Sequence, residues 1–394
     1  MDGQARARRL APLDTLRGGA ALAVALFSHF QHFGGDKAGY PFMAVAPVAW
    51  LYQRSWLLVD LFFLLSGIVL TYRYLEPLAR RQLDGREFFL LRLSRLYPLH
   101  VATLLVCAAV EWSLLARHES TVIYTGNNDL FHFFLQLTYL HGWFERGWSY
   151  NEPSWSVCCE VFVYLLFFLF ASRTAASRRG GYVIACLASA FLGVAVQTKW
   201  SLPLPPDNMA RALVGFFTGS LVFLGLEGLT PRAARRAGWA CLAALAVVLV
   251  LANLIGYEAW IGSKPVVHSL VIFPLVLVAA LKVPPLAAAL SLRPLTFFGD
   301  ISYAVYLCHV PLQMIALAVL RARGLAVPTS QPWVLGVYFV VLVTVASAAH
   351  YGLEIPARRW LRRRALGAAA PAPAPPPAPT PASAPAIDSA ADGG

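Results

Sequence analysis

Twelve ionisable side chains interrupt the apolar stretches of this chain: Asp14, Arg17, His29, His32, Asp60, Arg92, Arg95, His100, Glu160, His309, His350 and Glu354. In a lipid-spanning helix each would cost about 2.5 to 3.5 kcal/mol at the centre, so each must face protein, water or substrate. His29 is the type best suited to take a proton from a hydroxyl, because an imidazole titrates near neutrality and stays proton-accepting when buried. Arg17 lies twelve residues before it in LDTLRGGAALAVALFSHF, about 18 Å along an ideal helix, so one helix links the two residues across the thickness of a membrane. His32, one turn beyond, sits at the boundary of that helix. Arg92 and Arg95, at i and i+3 in RLSRLYP, share a helical face, and two guanidinium forks there grip phosphate or pyrophosphate oxygens, although anchoring by positive charge explains the same residues. Glu160 in PSWSVCCE falls about one and a half turns inside its helix and needs an arginine, a histidine or a substrate hydroxyl as partner; pairing for structure alone is equally open. Asp60 opens the aromatic run DLFFLLSG, and Tyr303, Tyr306 and His309 repeat at intervals of three in GDISYAVYLCHVPL, near one stripe. Asp60, Trp155, Tyr303 and His309 are the expected substrate contacts.

Composition says what holds these groups. Of 394 residues, 58% are hydrophobic and 13% charged, with mean hydropathy +0.60; soluble domains run near half apolar and about a quarter charged. Apolar runs approach the ~20 residues that cross ~30 Å of hydrocarbon, which excludes soluble enzymes and fibrous proteins. Ten spans are expected near 12–33, 55–74, 94–116, 154–172, 181–199, 209–228, 238–256, 266–281, 296–320 and 333–353. With the N-terminus cytoplasmic, 23 of the 32 Lys and Arg residues fall on the inside. Cationic short loops resist translocation, so the net charge of +12 reads as topology and no nucleic-acid partner is expected. The expectation is an all-α polytopic membrane protein of about ten transmembrane helices, both termini cytoplasmic. The first span lacks a small-residue cleavage site before Gly34 to Lys37 and reads as a retained helix. All six cysteines fall within spans without metal-ligand spacing, so neither a disulfide framework nor a metal is expected. The domain therefore covers 1–366, and 367–394 forms a Pro/Ala-rich tail that offers nothing to bury. The longest outside stretch, 117–153, carries aromatic and polar residues that suit either an acceptor entrance or an interfacial belt.

Taken together and in order, LDTLRGGAAL with its later His29, DLFFLLSG, RLSRLYP, PSWSVCCE, GDISYAVYLCHVPL and HYGLEIPARRWL resemble the membrane acyltransferase type 3 family, which contains bacterial O-acetyltransferases of lipopolysaccharide and exopolysaccharide. The match covers nearly all of 12–364. The resemblance implies a bacterial inner-membrane enzyme that moves an acyl group, most simply acetyl, from cytoplasmic acyl-coenzyme A to a hydroxyl of a carbohydrate or glycolipid acceptor. It implies that Arg17 and His29 are required for activity, that Arg92 and Arg95 bind the acyl-CoA donor with Arg17, and that Glu160 belongs to the membrane-embedded polar site. His29 then acts as general base or as transient acyl carrier. The family pattern places ten residues between this arginine and histidine and here eleven intervene, so that spacing falls on Ser28, which is no base; an irregularity near Gly18 and Gly19 would absorb the extra residue and keep His29, with His32 as the fallback. No SGNH-hydrolase-like domain follows the tenth span within the sequence. The reading from another class is a proton-coupled secondary transporter or lipid-linked sugar translocator, which the same scattered histidines and carboxylates suit.

Overall fold

Inside lipid every backbone N–H and C=O must be satisfied within its own segment, which leaves helices as the way for these apolar runs to cross. The computed structural model describes residues 2–123, 127–144, 147–174, 179–198, 206–256 and 264–366, with side chains from residue 10 onward; the Pro/Ala-rich stretch 367–394 lies outside the described residues. Among the described residues ten segments are long and apolar enough to cross a membrane: Leu10–Phe33, Ala46–Ala79, Gly85–Ala116, Ser154–Arg173, Gly180–Gln197, Asp207–Glu227, Pro231–Ile255, Pro265–Lys282, Ser302–Ala322 and Pro332–Leu366, here spans 1 to 10. The protein is a multi-pass all-helical membrane protein, and no strand occurs among the described residues. An even number of spans brings both termini to one end of the bundle.

Small residues set the closest approaches, as they do where lipid supplies no drive to bring helices together. A Cβ at Gly67 would meet the Phe216 carbonyl oxygen at 1.9 Å, and one at Gly219 would meet the Leu64 carbonyl oxygen at 2.1 Å, so spans 2 and 6 touch backbone to backbone. Span 1 is seated the same way on a short helix, Arg293–Asp300, that leads into span 9. A Cβ at Gly18 would lie 2.5 Å from the Phe298 backbone and one at Gly299 2.3 Å from the Asp14 carbonyl oxygen. The interior between spans is filled by buried rings, among them Phe30, Phe63, Tyr74, Phe88, Phe167 and Phe216. Span 7 lies at the periphery, with Val247, Val250 and Leu254 exposed toward the lipid.

Four local features differ from the sequence expectations. Span 1 is regular α-helix through Gly18 and Gly19 to Leu26, and then tightens into a 3₁₀ turn, Ser28–Phe33, so the irregularity lies beside His29 rather than near Arg17. Span 3 starts at Gly85, capped by the Asp84 carboxylate on the Glu87 N–H at 2.7 Å, which puts Arg92 and Arg95 inside one continuous helix. The expected ninth span is broken at Ile301 into Arg293–Asp300 and Ser302–Ala322. Pro356 does not end span 10. A π-turn, His350–Glu354, precedes it, and the helix resumes as Ile355–Leu366 with the proline as its second residue. In the stretch between spans 3 and 4, Leu130–Leu137 and His141–Phe144 are helical, with Phe131, Phe134 and Phe144 exposed as in an interfacial element.

Candidate functional site

The close seat of Gly18 on Gly299 brings Arg17 to the junction of span 9. Its Nε donates to Ser302 Oγ at 2.8 Å and its Nη2 to the Gly299 carbonyl at 2.7 Å, while Asp14 pairs with Nη2 at 3.0 Å. This arginine forms one wall of a cavity of 490 Å³ that runs inward from the terminus-bearing end, where Leu10, Arg73 and Arg358 line it. Arg92 and Arg95 line it from span 3, Glu160 and Tyr164 from span 4, Tyr303 from span 9 and Glu354 from the π-turn of span 10. Its walls therefore hold five guanidinium groups around a space large enough for a small-molecule arm.

The cations are held differently. Arg92 is fixed, with its guanidinium 4.6 Å over the Tyr74 ring and Nη2 donating to the Tyr74 hydroxyl. Arg95 makes no hydrogen bond among the described residues and is balanced by the charges of Glu354 and Glu160. Glu160 accepts from Ser66 Oγ and the Tyr164 hydroxyl, so its charge is solvated by the protein. Glu354 is clamped by His350 Nδ1 at 2.8 Å with Arg358 at 4.0 Å. The Tyr303 hydroxyl donates to the Leu96 carbonyl at 2.6 Å. Asp300, at the entrance, is pushed above the usual carboxylate range by burial and by the nearby Asp14.

His29 and His309 do not line this cavity. They meet beyond its inner limit, with His29 Nδ1 2.6 Å from His309 Nε2, one nitrogen donating and the other accepting. Phe62, Ser156 and Tyr306 line the cavity's inner end. The Tyr306 and Ser156 hydroxyls are hydrogen-bonded at 3.0 Å, and the Tyr306 ring lies 5.5 Å from Phe62 and 5.9 Å from His309. One layer of side chains thus separates arginines from histidines. On the far side Gln313 sets the register of the 3₁₀ turn. Its Nε2 donates to the His29 carbonyl at 3.0 Å, which leaves Oε1 to accept from His32 Nδ1 at 2.9 Å and fixes the amide orientation and the His32 tautomer. His32 is therefore tied to span 9, and His29 faces the histidine partner.

Two expected substrate contacts stand apart from both groups. Asp60 is fully buried and accepts from Arg211 Nε at 2.9 Å, and Arg211 lies 4.9 Å from the Trp155 ring and 5.2 Å from Trp56. The structure so joins Asp60 to Trp155 through an arginine that the sequence reading passed over, although it falls two residues inside the expected sixth span. A second residue missed is Glu152, whose Oε2 lies 3.7 Å from His29 Nε2. It belongs to the loop before span 4, where no apolar run marks a carboxylate as out of place.

The chain matches the family model described as an acyltransferase domain over residues 10–351. It is 26% identical to "Acyltransferase MdmB" of Streptomyces mycarofaciens over 402 residues, covering 93% of this chain and 96% of that protein. It is 37% identical over 106 residues to "Protein 2 in picA locus" of Rhizobium radiobacter, covering 27% of this chain and 48% of that one. No solved structure matches.

Proposed function

Because the chain belongs to this acyltransferase family and is a multi-pass membrane acyltransferase, we propose that it transfers an acyl group, most simply acetyl, from acyl-coenzyme A to a hydroxyl of a cell-surface carbohydrate or glycolipid. The observation that carries this reading is the 490 Å³ cavity with Arg17, Arg92 and Arg95 in its walls and the His29–His309 pair beyond its inner end. Phosphates are the ligand such a set of guanidinium groups recognises. A thioester arm that enters past them points its reactive end toward Tyr306 and the histidines. His29 is then the base for the attacking hydroxyl, or the carrier if the two half-reactions take place from opposite sides. The excess of Arg in the loops of the terminus-bearing end supports a cytoplasmic location for it, and the family likeness supports a bacterial inner membrane. Family membership favours this over the transport reading, which needs no donor cavity lined by arginines.

The test is coenzyme A release from short acyl-coenzyme A donors by purified protein, with His29→Ala, His32→Ala and Arg92→Ala in parallel. Release that survives His32→Ala and is lost with His29→Ala supports the reading. Absence of both release and saturable donor binding with every short acyl group overturns it.

A further inference from the structure

We propose that Glu152 is a catalytic residue: the acceptor hydroxyl docks on His29 Nε2, and the Glu152 carboxylate beside it faces that reacting nitrogen. The proposal rests on the acyltransferase reading above and assigns the hydroxyl-binding side of the same site. Glu152 Oε2 stands 3.7 Å from His29 Nε2, the ring nitrogen left over when Nδ1 engages His309. Both side chains are about one-tenth exposed, 10% for Glu152 and 13% for His29, so the gap is not fully sealed. A separation of 3.7 Å is too long for a strong hydrogen bond. It is short enough for the carboxylate to stabilise a proton that arrives on that nitrogen.

Glu152 does not hold this place by chance of loop conformation. Asn151 beside it is fully buried, and its Nδ2 donates to Thr103 Oγ1 of span 3 at 2.9 Å and to the Leu307 carbonyl of span 9 at 3.1 Å. Leu307 is two residues from His309, so the same anchor positions both flanks of His29. On the other side the Glu152 and Asn151 carbonyls accept from Trp155 and Ser154, the opening residues of span 4, at 3.1 and 3.0 Å. Glu152 is thereby pinned between two rigid elements while its side chain reaches toward the histidine.

In the step this permits, the acceptor oxygen forms a C–O bond to the acyl carbon and the C–S bond breaks. The hydroxyl proton passes to His29 Nε2 and then to the departing coenzyme A thiolate. Glu152 stabilises the imidazolium formed between those two transfers and takes no proton itself, a role that needs a charge and not merely a shape. Among the described residues the groups that face His29 are His309 and Gln313 from span 9, His32 from its own turn and Glu152 from the loop, so Glu152 is the negative charge among them.

Glu152→Gln keeps the shape and removes the charge. It should lower acyl transfer about 10²-fold, the low end of what positioned acid–base groups supply, with coenzyme A affinity unchanged. Glu152→Asp should recover part of the loss, and added formate should restore Glu152→Ala. Carbethoxylation by diethyl pyrocarbonate at pH 8, read residue by residue by mass spectrometry, reports the reactivity of His29 without any acyl donor; in Glu152→Gln it should slow at His29 and not at His32. Equal losses in the Asp, Gln and Ala variants, no formate recovery and an unchanged His29 rate would make Glu152 a structural residue and overturn the proposal. If wild type moves no acyl group from any acyl-coenzyme A, the acyltransfer chemistry assigned above fails and the carbethoxylation rates alone decide for or against Glu152.

Discussion

Arg95 and Arg92 share a helical face and a cavity, yet they are not equivalent. Arg92 is committed to Tyr74, whereas Arg95 is balanced by charge alone and can turn to a ligand. Arg95→Ala is expected to raise the KM for acyl-coenzyme A by about 10- to 100-fold, the worth of one hydrogen bond to a charged group, with kcat little changed; steady-state kinetics on the donor checks it. Asp60 invites a different expectation. Asp60→Ala leaves the Arg211 guanidinium buried without its carboxylate, and removing one partner of such a pair costs about 3–5 kcal/mol. Thermal unfolding in detergent should show that loss, and the double replacement Asp60→Leu with Arg211→Met should recover most of it. A recovered stability with a still-raised acceptor KM would return Asp60 to the substrate contacts that its place in DLFFLLSG suggests. Residue types at this scale were readable in advance where a charge interrupts an apolar run, as at Arg17, His29 and Glu160. What could not be read was proximity. Glu152 lies in a loop where a carboxylate is unremarkable by composition, and it becomes a neighbour of His29 through Asn151 contacts made 48 and 156 residues away in sequence.

Among the elements, span 1 carries the most consequence, because a single helix bears Arg17 in the cavity and His29 beyond it. Its seat depends on Gly18 and Gly299. Gly299→Ala would drive a methyl group to 2.3 Å from the Asp14 carbonyl oxygen, so the helices must part. Overpacking of this kind costs about 1–3 kcal/mol, and the expected signs are a lower unfolding temperature together with a larger loss of transfer, since Arg17 loses its bonds to Ser302 and Gly299. The helical segment between spans 3 and 4 makes a pH prediction. His141 is buried beside His100, and burial pushes it down to about 3. It therefore binds no proton in the folded state at pH values where the unfolded chain, titrating near 6.5, already does. Stability from this group is complete above about pH 6.5 and falls as the pH drops from there toward 3, by about 1.4 kcal/mol per unit. Hydrogen exchange of Leu130–Phe144 should report early opening on acidification, and His141→Asn should flatten the dependence. The spans themselves were legible because an apolar run of about 20 residues has one solution in lipid. Their irregularities were not. Pro356 reads as a stop, and only the π-turn before it, which depends on how His350 and Glu354 pair, lets the helix continue.

The whole molecule places unlike chemistry on the two sides of one side-chain layer, arginines around a cavity on one and a histidine and carboxylate pair on the other. Sealed vesicles test that arrangement. With the termini facing the medium, acyl-coenzyme A added outside should be consumed; with the opposite orientation it should not, until the vesicles are opened with detergent. The layer of Phe62, Ser156 and Tyr306 gives the arrangement a further meaning. A polar channel lined by histidines and carboxylates from end to end would be a wire for protons, and a cell that lives on its transmembrane voltage would discharge through every copy of the enzyme. A septum one tyrosine thick would keep the membrane an insulator while leaving the arginine cavity and the histidine pair within a side chain's swing of each other.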